Sequence, residues 1–274
     1  MHAVYNSIRN NFACLLSALL ILIAALLAVR LLAARKPFSD LTDASEGIRF
    51  LTTAEEANPS LADDFLRAKK KERLASIQRS EEKEKLKDDI INDRVDVYSL
   101  FKEYVILGDS RAVGFSHFKF LDHHRVLAAG GDTILKVRDH MDKLKKLNPS
   151  YIYLCYGVND AGLKNGGTPE GYAEKVLSVI NEIQEALPEV RIYFSSIIWI
   201  SETAEKKNPA WGKIYEFNNT CRMMCTQNNI TYIDNDEICL YLKEKKLWSG
   251  DGIHLSKSFY KLWAKNLYLA TLED

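Results

Sequence analysis

Four short segments carry side chains whose types and spacing fit one kind of chemistry: Gly108-Asp109-Ser110-Arg111, Ala129-Gly130-Gly131-Asp132-Thr133, Gly157-Val158-Asn159-Asp160 and Asp251-Gly252-Ile253-His254. The first sets the Ser110 hydroxyl at a strand-to-helix turn, where helix N-terminal amides stabilise negative charge. A serine there is either an N-cap or a nucleophile. The second contains paired glycines, and a missing Cβ lets a ligand approach a backbone N–H; it reads equally as an ordinary turn. In the third, the Asn159 amide either donates into the same cleft or caps the next turn. The fourth puts a carboxylate three residues before an imidazole. Asp251 can then turn back to hold the His254 Nδ1–H, leaving Nε2 to take a proton, or His254 is simply a solvated loop histidine.

The elements that would position these segments follow from hydrophobic periodicity. From Tyr104 onward, short apolar runs alternate with amphipathic stretches, as in α/β domains. The spacing predicts strands over Tyr104 to Leu107, Val126 to Ala129, Tyr151 to Tyr156, Ile192 to Ile198 and Ile230 to Ile233. It predicts helices over Thr133 to Leu147, Glu170 to Leu187 and Trp211 to Asn228, with Tyr172, Val176, Val179, Ile180, Ile183 and Leu187 forming one apolar face. The expected fold is α/β: helices on both faces of a five-stranded parallel sheet, a three-layer α/β/α domain over residues 99–274. In such sheets ligands bind beyond the carboxyl ends of the strands, which is where the first three segments fall.

With these four blocks in this order, the sequence from Tyr104 to about Leu269 resembles the SGNH hydrolases, also called GDSL esterases and lipases. GDS, GGDT, GVND and DGIH are all present. The resemblance implies a flavodoxin-like sheet and a serine esterase. In it Ser110 is the nucleophile, His254 the base and Asp251 the residue that orients the base. It further implies an oxyanion hole made of the Ser110 and Gly131 backbone N–H groups and the Asn159 side-chain amide; Gly130 competes with Gly131, although the alignment of GDT favours Gly131. No metal or organic cofactor is required. The first block departs from many relatives, which carry a small or apolar residue after the serine. Here Arg111 either reaches a substrate acid or is a surface charge. His117, His123 and His124 lack an acid at triad spacing and receive no role.

The remainder bounds partners and location. Lys+Arg and Asp+Glu each number 37, so no global field favours nucleic acid, which is excluded as a partner. The five cysteines lack paired CxxC spacing, and the Cys221 and Cys225 pair lacks further ligands for a metal; all read as buried or free thiols. Phe12 to Val29 carries no charge and reads as an uncleaved transmembrane helix or a cleaved signal peptide; a length beyond the usual h-region and the lack of a clear cleavage site favour the uncleaved helix, a membrane anchor over 1–36. Residues 37–98 read as a polar stalk, largely helical, although the broken apolar stripe Leu66, Leu74, Ile77, Leu86 and Ile90 leaves a coiled-coil seam or partner helix as the weaker alternative. Residues 62–96 hold ten basic and ten acidic side chains without Gly or Pro. Charge counting at the flanks slightly favours a cytoplasmic catalytic domain, but a single anchor followed by a long spacer suits export, and the extracytoplasmic side is the expectation. The expected substrate is a small-molecule or glycan acyl ester, O-acetyl on cell-envelope carbohydrate above all. O-acyl transfer, lysophospholipid or thioester cleavage, and an idle envelope scaffold are the alternatives.

Overall fold

A computed structural model describes residues 59–163 and 167–273, together with 48, 49 and 52. The predicted membrane anchor lies outside the described residues. Among the described residues, no helix is long and apolar enough to cross a membrane.

Five strands form one sheet: β1 Tyr104–Gly108, β2 Val126–Ala128, β3 Tyr151–Cys155, β4 Arg191–Ser195 and β5 Thr231–Ile233. Their order is β2-β1-β3-β4-β5 and every pairing is parallel. Consecutive residues of β1 alternate between two cores, because strand side chains point to opposite faces with period two. Val105 and Leu107 join one buried cluster with Ile152, Leu154, Ile192 and Phe194. Tyr104 and Ile106 join the other with Tyr153, Cys155, Tyr193 and Ile233. Both faces are thus covered, which is why the strands read as unbroken apolar runs.

Six longer helices are α1 Pro59–Ile91, α2 Met141–Leu147, α3 Pro169–Ala186, α4 Ile214–Gln227, α5 Asp236–Lys245 and α6 Phe259–Thr271. Helix α3 starts where Thr168 accepts the Gly171 N–H and Pro169 occupies the first turn. Its predicted stripe is buried at Tyr172, Val176, Val179, Ile180 and Ile183. Each such side chain contributes roughly 1.5 to 3 kcal/mol on leaving water. Two of the predicted helices begin as tighter 3₁₀ turns, Ile134–His140 before α2 and Pro209–Lys213 before α4. The short helix Val158–Gly162 and helices α5 and α6 had no counterpart in the sequence reading.

β4 stops at Ser195, although the apolar run continues to Ile198. The reason is a buried Asn218, which accepts the Ile197 N–H at 2.8 Å and donates to its carbonyl at 2.9 Å. A side chain therefore completes the backbone hydrogen bonding that a neighbouring strand would otherwise supply. The chain divides into two compact units, residues 1–78 and 79–274. Within the unit 79–274, Ile90 and Val97 are fully buried together with Phe259 and Trp263. Helix α1 ends at Asn92-Asp93, where Asp93 takes the left-handed conformation and Arg94 turns back onto Asp88 and Asp89.

Candidate active site

The turn after β1 is tight for a steric reason. A Cβ on Gly108 would stand 2.4 Å from the Ala112 Cβ and 2.9 Å from the Cys155 carbonyl, so only glycine lets the chain swing into the next turn. Ser110 follows, half-buried, at the carboxyl edge of the sheet. Its neighbours are fixed by burial. The Asp109 carboxylate is fully buried and accepts the Arg111 N–H at 3.0 Å. The Arg111 guanidinium is also buried: Nη1 donates to the Ile198 carbonyl at 2.6 Å, and Nε stands 3.5 Å from Asp109. From the other side, the Tyr260 hydroxyl donates to the Arg111 carbonyl at 2.7 Å.

Arg111 therefore overturns both sequence readings: it is neither a surface charge nor a free cation awaiting a substrate acid. A guanidinium is stable in an interior only when paired and hydrogen-bonded, and Asp109 with the Ile198 carbonyl supplies that. The signal that could have found this was Asp109, one residue before the serine and two before the arginine.

The fourth block folds on itself. Asp251 Oδ1 accepts three hydrogen bonds, from the Ser249 hydroxyl at 3.0 Å, the Ile253 N–H at 2.9 Å and the His254 N–H at 3.0 Å. Its Oδ2 faces His254 Nδ1 at 2.5 Å, and His254 Nε2 faces Ser110 Oγ at 2.9 Å. Partial burial pushes the Asp251 carboxyl up, but the hydrogen bonds from the His254 ring, both N–H groups and Ser249 outweigh it. They hold the acid well below the usual carboxylate range. An ionised Asp251 accepts from Nδ1–H, which leaves Nε2 as the acceptor for the Ser110 hydroxyl. The sequence reading missed Ser249; the Ser-Gly-Asp-Gly turn signal contained it.

The second and third blocks are joined to each other. Asn159 Nδ2 donates to the Asp132 carbonyl at 2.8 Å, using one of its two amide hydrogens. The buried Asp160 carboxylate accepts the Ile134 N–H through both oxygens, at 3.3 and 3.4 Å. Burial raises Asp160 to about 6, opposed in part by the Ile134 N–H. Gly131 has φ +81 with open space around a notional Cβ, so backbone conformation, not crowding, calls for glycine there. Gly130, its competitor, is exposed on the same turn. Among the described residues, neither the Ser110 nor the Gly131 N–H donates to a protein partner.

The structure thus brings Ser110, His254 and Asp251 into one hydrogen-bonded line, and ties Asn159 to the loop of Gly131. His117, His123 and His124 are exposed and outside this line. Cys155, Cys221, Cys225 and Cys239 are buried free thiols, their ionisation suppressed by burial. The arrangement can remove a proton from a hydroxyl and place the resulting nucleophile beside unengaged backbone donors.

The family model for the GDSL-like Lipase/Acylhydrolase family matches residues 107–262. A chain described as a GDSL-like lipase from Parabacteroides merdae superposes with a TM-score of 0.51 at 18% identity, covering 62% of this chain and 95% of that one. An acetyl xylan esterase, AlAXEase, gives 0.49 at 22% identity, covering 61% and 98%. A lipase/acylhydrolase from Enterococcus faecalis gives 0.49 at 17%, covering 62% and 95%. No curated protein matches the chain.

Proposed function

We propose, from the premise that this chain belongs to the GDSL-like lipase/acylhydrolase family and is a carboxylic ester hydrolase, that it removes small acyl groups, O-acetyl above all, from cell-envelope carbohydrate. The observation that carries this reading is the line from Asp251 through His254 to Ser110, at 2.5 and 2.9 Å. His254 Nε2 takes the Ser110 proton as Oγ attacks the ester carbonyl. The tetrahedral oxyanion is held by the Ser110 and Gly131 N–H groups and the remaining Asn159 amide hydrogen. The same His254 proton then goes to the departing alcohol, leaving an acyl-Ser110. Water, deprotonated by His254, attacks that ester and releases the acid, and Asp251 holds the imidazole tautomer and stabilises the imidazolium throughout.

The envelope location rests on the uncharged run Phe12 to Val29 and the charged helical segment after it, which suit a membrane tether with an extracytoplasmic catalytic domain. Protease added to intact cells should shave the domain; cleavage only after lysis would put it in the cytoplasm.

The central test is Ser110→Ala. The variant should fold with an unchanged melting temperature, lose labelling by a fluorophosphonate probe and release no acetate from chromogenic or glycan esters. Labelling that survives the change removes Ser110 as nucleophile.

A further inference from the structure

Beside the Asp251 loop lies a groove of about 640 Å³ that the hydrolytic mechanism does not use. Four aromatic rings line it: Trp199, Trp211, Tyr215 and Trp248. Two are locked in place by their own indole N–H groups. Trp211 donates to the Val158 carbonyl at 2.7 Å, and Trp248 donates to the Trp199 carbonyl at 3.0 Å. Tyr215 is 70% exposed, so its ring is open to a ligand.

The groove adjoins the Asp251 loop on one side and the Asn159 segment on the other. Ser249 and Gly252 belong to its wall and flank Asp251 in sequence, and the Ser249 hydroxyl donates to the Asp251 carboxylate. On the other side, Trp211 is bonded to the residue before Asn159 and packs so closely on Gly162 that a Cβ there would meet its indole nitrogen at 2.5 Å.

Its rim is polar and of both signs. Lys243 and Glu202 pair at 3.2 Å, and Glu205 and Lys246 stand beside them. An acyl tail is best held in an enclosed aliphatic slot, whereas rigid aromatic faces ringed by donors and acceptors fit a ligand with one apolar C–H face and hydroxyl edges. A pyranose ring is such a ligand.

We propose that this groove binds the carbohydrate part of an acylated glycan, with pyranose rings on the aromatic faces and hydroxyls on the Glu and Lys rim, so that a neighbouring O-acyl group reaches Ser110. The proposal rests on the reading of Ser110 as nucleophile and adds the site that selects a sugar chain as the leaving alcohol. Preset rings lower the ordering cost of binding, so most of the contact is available as affinity.

Three of the chain's four tryptophans line the groove and the fourth, Trp263, is buried, so indole fluorescence reads occupancy directly. Full-length Ser110→Ala protein, which cannot turn over, is titrated with xylo-oligosaccharides, with N-acetylglucosamine oligomers and with a lysophospholipid. Saturable quenching by one of the sugar series is expected, and the responding series identifies the glycan. Adding Tyr215→Ala to that protein should weaken binding about tenfold. In the active protein, Tyr215→Ala alone should raise KM for an acetylated oligosaccharide by a similar factor, leaving kcat and the hydrolysis of p-nitrophenyl acetate unchanged. The proposal is overturned if neither sugar binds while the small acetate is cleaved, if only the lysophospholipid quenches, or if Tyr215→Ala alters both substrates alike. Sugar binding in a protein that cleaves no ester would instead overturn the hydrolytic reading and leave the sugar site standing.

Discussion

The two ends of the hydrogen-bonded line are held by different means. Ser110 sits on a turn whose neighbours are interior: Asp109 and Arg111 are buried, and the hydrogen-bond partners of Arg111, Ile198 and Tyr260, come from distant parts of the chain. Asp251 and His254 retain about 45% of their side-chain exposure, and Asp251 is held by hydrogen bonds from within residues 249–254. Ser110 is thus placed by the tertiary core and the Asp251–His254 pair by local loop geometry. Injury to the first should appear mainly as lost stability, and injury to the second mainly as lost rate.

The sharpest test of that contrast is Asp251→Asn. It keeps the size of the side chain but favours the wrong His254 tautomer, so turnover should fall about a thousandfold or more, roughly 4 kcal/mol of barrier or greater, in a folded protein. Kinetics alongside circular dichroism decide it. An unfolded variant would show that the loop depends on the core after all.

Arg111→Met probes the other end. It leaves the Asp109 carboxylate buried without its cation, a change that typically costs about 3 to 5 kcal/mol. Urea denaturation should report an unfolding free energy lowered by that amount, with a correspondingly lower midpoint, and an unchanged midpoint would refute the structural role. The residual folded fraction should still label with fluorophosphonate.

Asn159→Ala falls between the two. Losing a preorganised oxyanion donor costs about 100-fold to 1,000-fold in kcat with little change in KM. The bond from Asn159 to Asp132 adds a structural share, so a modest drop in melting temperature should accompany the rate loss. A drop in melting temperature with normal turnover would make Asn159 a loop brace only.

The smallest effects concern two carboxylates of opposite sense. Asp160 is raised by burial from 3.8 to about 6, so between those values the folded state binds more protons than the unfolded one. Its contribution therefore falls as pH rises from about 4 to 6, by on the order of 1 to 3 kcal/mol. Asp160→Asn should flatten that fall and raise the melting temperature at neutral pH. Asp251 is lowered, so its contribution is present above about 4 and lost as pH drops below it, weakened by solvent because the group is half exposed. Thermal melts from pH 3 to 8 separate the two limbs. Identical profiles for wild type and Asp160→Asn would remove the assigned cause.

What was legible in the sequence is what depends on near neighbours. Strand positions followed from apolar runs within a residue or two at most ends, and the α3 face from period 3.6, because burial on a sheet or helix imposes those repeats locally. The Asp251 to His254 spacing likewise contained its own geometry, since three residues of loop suffice to bring carboxylate and imidazole together. The early stop of β4 was hidden, because it depends on Asn218 from a helix twenty-one residues away. The burial of Arg111 was hidden for the same reason: a charge is interior or exposed according to whether a partner and a carbonyl await it, and Ile198 lies 87 residues on. The aromatic groove is the extreme case, assembled from residues 199–215 and 243–252, two stretches far apart in the chain that only the fold brings together. The sequence by itself determined the strands, the helical periods and the reactive types at the strand ends, because these are written in adjacent residues. Which charge is interior, where β4 ends and what surrounds the reacting atoms were decided only by tertiary structure, because burial depends on segments far apart in the chain.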